Sequence, residues 1–239
     1  MRKLTLILAE SALEIVPKEV RDHPSILKYS ERAGKSPSEM LLDRSFHHAA
    51  MRVLRENWKR GRPDIVHICL LEALGSPLNK EGLLRILVHT VNNFVISISS
   101  QTRLPRNYFR FVGLIEQLFQ TGKVPPFGKP LLTLSRKSLK QLLKEINPGC
   151  VIAFSRLGTP SDLKEIVSML SQREKPVVLI GGFPAGTFKK STLKLADHIF
   201  SIDPETLDAW TVTSRIIYEY EKSIGLPEKR LKRLLKIRS

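Results

Sequence analysis

PVVLIGGFPAGTFKK, residues 176–190, is the stretch of sequence that decides the fold. Residues 177–180 form a short apolar run of Val, Leu and Ile, which is typical of a strand covered on both faces. The run leads directly into Gly181, Gly182 and the sequence FPAG at residues 183–186. Residues without a Cβ let a flat ligand lie against the main chain, and they allow positive φ.

A second short strand is predicted at residues 198–202, followed by a polar turn at residues 203–206 and a helix that begins near Leu207. Neighbouring strands that end in adjacent loops at one edge of a sheet predict a crevice for a small molecule. The same glycines are also consistent with ordinary tight turns. The stretch alone leaves both interpretations open.

The glycine spacing excludes two kinds of phosphate site. Gly181, Gly182 and Gly186 do not have the Gly-x-Gly-x-x-Gly spacing of dinucleotide-binding proteins, and the chain has no Gly-x-x-x-x-Gly-Lys-Ser/Thr sequence. A ligand at this loop is therefore expected to be held by something other than a phosphate cradle.

The composition favours a polyanionic partner. The 239 residues include 39 Lys and Arg against 23 Asp and Glu, a formal net charge of +16, and this excess points to nucleic acid above all. No apolar stretch approaches the ~18 residues that span a bilayer. The N-terminal sequence MRKLTLILA lacks a small-x-small cleavage site, so we interpret it as a strand and expect no membrane association and a cytoplasmic location. Two distant cysteines, Cys69 and Cys150, make a disulfide framework improbable.

The first sixty residues predict a strand followed by a helical and loop-rich excursion. We expect a strand at residues 4–9, a short helix at 11–17, a loop at 21–38 and a helix at 38–59. Within the last of these, the adjacent histidines His47 and His48 face different directions on a helix. They are therefore interpreted as surface or core histidines, with no metal site.

A charged cluster, Gly61-Arg62-Pro63-Asp64, precedes an apolar run at residues 65–71 that we interpret as a strand. Arg62 and Asp64 flank a proline that fixes the backbone, so the carboxylate is placed to hold the guanidinium in one orientation. The alternative is a surface ion pair worth at most about 1 kcal/mol. Residues 83–90 and 94–99 then predict two strands of a hairpin.

Three arginines predict an anion site at a helix start. Pro105 suits the first turn of a helix that runs to about residue 120, on which Arg106 and Arg110 share a face, with Arg103 just before it. Guanidinium groups and free backbone N–H groups together favour polyphosphate. A solvated basic face is the alternative.

The second half of the chain alternates between strands and helices. Residues 121–129 form the best internal boundary; strands are predicted at 131–134 and 150–154 and helices at 138–146 and 161–170, ahead of the strand at 177–180. This alternation predicts an α/β fold with a mostly parallel sheet flanked by helices. The tail, residues 226–239, is a basic amphipathic helix or a frayed end.

Four motifs in this order, GRPDIVHICLLEALGSPL, TRLPRNYFRFVGLIEQLF, VVLIGGFPAG and IDPETLDAWTV, resemble the ribosome-biogenesis pseudouridine N1-methyltransferases of the SPOUT (trefoil-knot) superclass. The archaeal type, whose glycine loop also reads Gly-Gly-Phe-Pro, is the most similar. The resemblance implies one domain over residues 1–239, with a small α+β excursion at about 21–60 and a knotted, cofactor-binding half at about 130–220. A homodimer is also implied. Threaded chains are very rare, and nothing in the composition indicates the knot.

The resemblance also implies roles for particular residues. Arg62 and Asp64 are the implied catalytic pair, and RNA contacts fall on Arg62, Arg103, Arg106 and Arg110. S-adenosylmethionine is the implied cofactor, with no metal. Its expected contacts are Ile180, Gly181, Gly182, Phe183, Gly186, Ser201, Ile202, Asp203, Pro204, Glu205, Thr206, Leu207, Ala209 and Trp210.

The implied activity is methylation of N1 of a pseudouridine in a loop or bulge of small-subunit rRNA, with a role in assembly of the small subunit and ribosome-assembly proteins as further partners. A base inside a helix cannot reach a methyl donor, which is why a loop or bulge is expected. Two alternatives stay open. One is a non-catalytic rRNA-binding assembly factor, and the other is a knotted methyltransferase that acts on tRNA.

Overall fold

Strand β1, Leu4–Ser11, runs through the middle of the sheet and is buried on both faces. Leu4, Leu6 and Leu8 lie in a large apolar core, whereas Ile7 and Ala9 lie in a second core on the opposite side. Because successive side chains of a strand alternate between the faces, a strand covered on both sides is apolar almost throughout.

The computed structural model describes residues 2–238, and within them the sheet has eight strands in the order β4-β5-β3-β2-β1-β7-β6-β8. The part from β2 to β8 is parallel, and β3, β5 and β4 extend it in antiparallel fashion. Besides β1 the strands are β2 Leu84–Thr90, β3 Phe94–Ile98, β4 Lys123–Val124, β5 Leu132–Arg136, β6 Cys150–Pro160, β7 Pro176–Gly181 and β8 His198–Ser201.

Helices cover both faces of this sheet. Within the described residues they are α1 Pro24–Ala33, α2 Arg44–Met51, α3 Pro63–Gly75, α4 Pro77–Lys80, α5 Tyr108–Thr121, α6 Leu139–Ile146, α7 Leu163–Gln172, α8 Lys190–Leu193, α9 Ala209–Ser223 and α10 Leu226–Arg238. The large core is formed with α3, α5, α7 and α9, and the second core with α6. A third, smaller core lies under α1 and α2. The predicted α/β class, a sheet flanked by helices, is confirmed, although the sheet is mixed.

The strands that flank the predicted crevice are confirmed, and so is the hairpin. β1 lies beside β7 with Leu6 opposite Val178, and β6 lies between β7 and β8. β2 and β3 pair antiparallel across a turn in which Asn93 has φ +59°.

The prediction of a strand at residues 65–71 was wrong, because these residues belong to α3. Pro63 is the first residue of the helix, and the apolar side chains that follow are buried nearly all round its axis. A short continuous apolar run has the same pattern in a buried strand and in a buried helix, so periodicity does not separate them.

Two expectations in the first sixty residues were also wrong. Residues 21–38 contain α1, in which Pro24 is the first residue and Gly34, at φ +62°, ends the helix. Pro and Gly, which suggested a loop, are here the start and stop of a helix. No helix forms at residues 11–17, where β1 continues to Ser11 and Ile15 bridges Leu41.

Two further boundaries differ from the predicted ones, whereas the tail forms the helix that was one of its two predicted forms. The helix expected over residues 38–59 is limited to α2, with 3-10 turns at Pro37–Glu39 and Asn57–Lys59. The boundary predicted at 121–129 contains β4, which pairs with β5 and so joins the two halves. The basic tail is helical, and Arg230 and Arg233 of α10 contact Glu81 at 2.6 and 2.9 Å. Within residues 2–238 no helix is long and apolar enough to cross a membrane.

Candidate active site

The neighbouring parallel strands β7 and β8 end at one cleft with a volume of about 440 Å³, which is also lined by the middle of β6, the strand between them. The volume lies within the range of small-molecule sites in proteins. The carboxyl ends of parallel strands meet at one edge of a sheet, which is where such sites form in α/β proteins. The crevice predicted from the two strand ends is therefore present.

The walls of the cleft contain most of the residues predicted to contact a cofactor. From the loop after β7 they include Ile180, Gly181, Phe183 and Gly186, and from the end of β8 and the start of α9 they include Ser201, Ile202, Asp203, Glu205, Thr206, Leu207, Ala209 and Trp210. Gly182 and Pro204 lie outside the wall.

Gly182 is needed for a close approach between two strand ends. A Cβ built on it would lie 2.2 Å from Ser11 Oγ and 3.0 Å from the Ser11 Cα. Its N–H donates to the Ala9 carbonyl, and its carbonyl accepts from the Ala12 N–H. Gly182 therefore fastens the end of β7 to the end of β1. Gly186, at φ +88°, supplies the left-handed turn that curls the loop back toward the cleft.

A buried lysine holds the loop after β7 from beneath. Lys59 Nζ donates to Glu10 Oε2 at 3.1 Å and to the Thr187 carbonyl, and it lies 4.5 Å from the centre of the Phe183 ring. The other Glu10 oxygen accepts from the Lys189 N–H at 2.8 Å. Both charged side chains are almost fully buried. The loop is thus fixed at three positions by one ion pair.

Arg62 lies in the cleft wall and is held in one orientation by Asp64. Two hydrogen bonds join them, Nε to Oδ1 at 2.8 Å and Nη2 to Oδ2 at 2.7 Å, and each side chain is about one-third exposed. The hydrogen bond to Asp64 raises the pKa of Arg62 above its usual range. Asp64 lies in the first turn of α3, where the helix dipole stabilises a carboxylate. The predicted pairing is therefore present.

One side of the cleft is acidic. Asp203, Glu205 and Asp208 all line it, between apolar and aromatic residues such as Leu207 and Trp210. Carboxylates beside flat apolar walls suit a ligand that combines a positive charge with a planar ring.

The three other predicted arginines are exposed, but their arrangement differs from the expected one. The cap of α5 is Asn107, whose side chain accepts from the Arg110 N–H at 3.1 Å, so the helix begins at Tyr108. Arg106 therefore precedes the helix and does not share a helical face with Arg110. The preceding segment is tied to α3, because His67 Nε2 donates to the Pro105 carbonyl at 2.7 Å. Among the described residues, no carboxylate forms a salt bridge with Arg103, Arg106 or Arg110.

The adjacent histidines lie in different surroundings. Over residues 2–238 no group of three His, Cys, Asp or Glu side chains is arranged to hold a metal ion. His47 is buried, its Nδ1 accepts from the Asp43 N–H at 3.0 Å, and burial lowers the pKa of His47 to about 4. His48 is exposed. The two are a core and a surface histidine.

Three contributors to the site were missed from the sequence. Lys59 is 49 residues from Glu10 and 128 from Thr187, and lysine is seldom buried, so no local signal marks it. Arg156, just beyond the end of the predicted strand at 150–154, and Asp208, at the start of the predicted helix, also line the cleft.

Comparison with known families gives one match over most of the chain. A family model described as EMG1/NEP1 methyltransferase matches residues 6–221. The chain is 46% identical over 223 residues to the ribosomal RNA small subunit methyltransferase Nep1 of Thermococcus kodakarensis, covering 93% of this chain and 100% of that protein. The Nep1 of Pyrococcus furiosus is 46% identical over 220 residues, or 92% of this chain and 97% of that one.

A solved structure is similar over nearly the same extent. The crystal structure of Archaeoglobus fulgidus Nep1 bound to S-adenosylhomocysteine matches with a TM-score of 0.82 and 35% sequence identity. The match covers 94% of this chain and 99% of that one.

Replacing Lys59 with methionine is expected to loosen the loop after β7. The variant leaves Glu10 as a buried, unpaired carboxylate, which destabilises a protein by about 3 kcal/mol or more. We expect a lower melting temperature and faster amide hydrogen exchange at residues 183–189. Exposed Lys140 offers the matched control, Lys140→Met.

The double variant Lys59→Met, Glu10→Gln removes both charges and is expected to recover part of the lost stability. If Lys59→Met melts and exchanges like Lys140→Met, the ion pair does not hold the loop.

Proposed function

The chain belongs to the EMG1/NEP1 methyltransferase family, and from this membership we propose that it transfers a methyl group from S-adenosylmethionine to N1 of a pseudouridine in small-subunit rRNA. The observation that carries the proposal is the position of Arg62, a fixed guanidinium in the wall of the cleft that would hold the methyl donor. Arg62 thereby belongs both to the cofactor site and to the surface that would contact RNA.

The residues of the cleft fit the cofactor. S-adenosylmethionine carries a positive sulfonium and an ammonium group, which Asp203, Glu205 and Asp208 would balance, and its adenine suits the apolar wall formed by Leu207 and Trp210. When bound, it supplies an electrophilic methyl group. The fixed loop after β7 helps to exclude water from this group.

Arg62 suits the chemistry of pseudouridine. The glycosidic bond of this nucleoside is to carbon, so N1 carries a free hydrogen. Negative charge develops on the ring as the N1 proton leaves to solvent, and a guanidinium aimed at that charge stabilises it. Because Asp64 already orients the guanidinium, little reorganisation is needed at the moment of reaction.

The exposed Arg103, Arg106 and Arg110 supply the phosphate contacts. They lie on the segment joined to α3 through His67, so they have a fixed position relative to Arg62. Phosphate contacts set the register of the RNA without selecting its sequence. The target base lies in a loop or bulge, where it is free to enter the cleft.

We also propose that the protein is a cytoplasmic homodimer with a basic surface that crosses both subunits. Residues 1–239 form a single domain, and its cofactor-binding half, at about 130–220, is threaded as a trefoil knot. Assembly proteins of the small ribosomal subunit are further partners. The family resemblance and the net charge of +16 support this proposal. Sedimentation at micromolar protein concentration tests whether the protein is dimeric. Detection of monomer alone would contradict the proposed homodimer.

The acceptor atom is tested with two RNA hairpins that differ only by pseudouridine or uridine at the target position. With a labelled methyl donor, we expect transfer to the pseudouridine hairpin alone, located at N1 by mass spectrometry of the nucleosides. Transfer to both hairpins or to uridine alone would contradict N1 specificity. Binding without transfer would indicate an assembly factor, and preference for tRNA would indicate a tRNA enzyme.

Arg62 and Arg110 are expected to have separable roles. Arg62→Ala should slow methyl transfer about 100-fold in single turnovers at saturating RNA, as the loss of one transition-state donor does. Asp64→Asn should slow it less, because the guanidinium remains but is held less firmly. Arg110→Ala is the control. It should weaken RNA binding and lower the salt slope by about 0.7, yet react at the wild-type rate once RNA is saturating.

A wild-type rate for Arg62→Ala at saturating RNA would show that Arg62 is only another phosphate contact.

A further inference from the structure

We propose that Phe109 and Phe46 form a platform on which an unpaired base beside the target nucleotide stacks. The inference rests on the proposed RNA substrate and adds a subsite to it. Phe109, the second residue of α5, is 62% exposed, and Phe46, on α2, is 37% exposed. Their ring centres are 6.4 Å apart and their planes are tilted by 41°, so the two rings lie side by side as adjacent faces of one aromatic patch.

Each ring of the platform packs against a tyrosine ring. Tyr29 stacks on Phe46 with 4.5 Å between ring centres, and Tyr108 lies 5.7 Å from Phe109. The Tyr108 hydroxyl donates to the carboxylate of Asp43, which also caps α2 by accepting from the Ser45 N–H at 2.8 Å. A surface already fixed in its binding geometry loses little conformational freedom when a ligand binds.

The platform lies next to the fixed guanidinium of the cleft. The Arg44 N–H, at the start of α2, donates to the Gly61 carbonyl at 2.8 Å, so the helix that carries Phe46 is joined to the residue just before Arg62. Asp43 and Tyr108 join α2 to α5 beneath the platform. A nucleotide that stacks there is therefore a near neighbour of the one whose base reaches Arg62.

The surrounding charge identifies the occupant as nucleic acid. Exposed Arg106 and Arg110 lie three residues before and one residue after Phe109. An apolar peptide would gain nothing from these arginines, whereas a nucleotide offers a flat ring for the phenylalanines and a phosphate for the guanidinium groups. Stacking on aromatic side chains between basic residues is the usual mode of single-stranded RNA binding.

The test is the affinity for the pseudouridine hairpin of the full-length protein with Phe109→Ala, Phe109→Leu or Phe109→Trp. Phe127, which is 88% exposed on the loop after β4, offers the matched control, Phe127→Ala. We expect Phe109→Ala and Phe109→Leu to bind about 5- to 100-fold more weakly, as the loss of one stacked base does. Phe109→Trp should retain binding. The salt slope should stay unchanged, because no phosphate contact is lost.

Abasic nucleotides placed one at a time in the hairpin loop identify the stacked base. One position should weaken binding of the wild-type protein by the same factor as Phe109→Ala, and should cause little further loss in that variant. Equal binding by Phe109→Ala and Phe127→Ala would overturn the proposal. A change of oligomeric state in Phe109→Ala would also overturn it, since the surface would then be a contact between copies.

The experiments distinguish an error in the proposed platform from an error in the proposed reaction. If the hairpin binds with the expected Phe109 dependence but N1 is not methylated, the reaction is wrong and the platform stands. If N1 is methylated and Phe109→Ala matches wild type at subsaturating RNA, the platform is wrong and the reaction stands. Absence of any hairpin binding would overturn both.

Discussion

The ion pair between Glu10 and Lys59 is the interaction on which the site depends. Moving two charges out of water costs free energy, and this cost is offset only because each charge also has further hydrogen-bond partners. Glu10 also accepts from the Lys189 N–H, and Lys59 also donates to the Thr187 carbonyl. A loop with three glycines within six residues would otherwise have many conformations. The pair selects one of them and so gives the cleft a wall before any ligand binds.

Ala12 sets the position of the loop after β7 relative to Arg62. Its N–H donates to the Gly182 carbonyl at 2.8 Å, and its own carbonyl accepts from the Arg62 N–H at 3.2 Å. From Arg62 the connection continues along α3 to His67, which holds the segment before α5 through Pro105. One small residue thus joins the loop after β7 to Arg62, and one helix joins Arg62 to the segment that carries the exposed arginines Arg103 and Arg106. Such rigid connections preserve the alignment that methyl transfer requires.

The sequence was informative where local chemistry decided the structure and uninformative where long-range contacts did. The run at residues 177–180 could only be a buried strand once glycines followed it, and Arg62 and Asp64 were paired correctly because Pro63 lies between them. By contrast, residues 65–71 were predicted to be a strand but form part of a helix. The prediction was wrong because burial on all sides of a helix removes the periodicity that distinguishes a helix from a strand. Gly182 was expected to contact a ligand, but the space beside it is filled by Ser11, the last residue of the neighbouring strand β1. Lys59 had no local signal at all.

We expect the cleft beside β6, at the ends of β7 and β8, to be preformed and to hold the cofactor. A crystal structure of the protein with S-adenosylhomocysteine, compared with crystals grown without it, tests this most directly. We expect the ligand to lie between the loop at residues 181–188 and the segment at 201–212. We also expect Lys59 to keep its contacts with Glu10 and Thr187 in both crystals. A ligand bound elsewhere, or a loop that forms only when the ligand is present, would contradict this expectation.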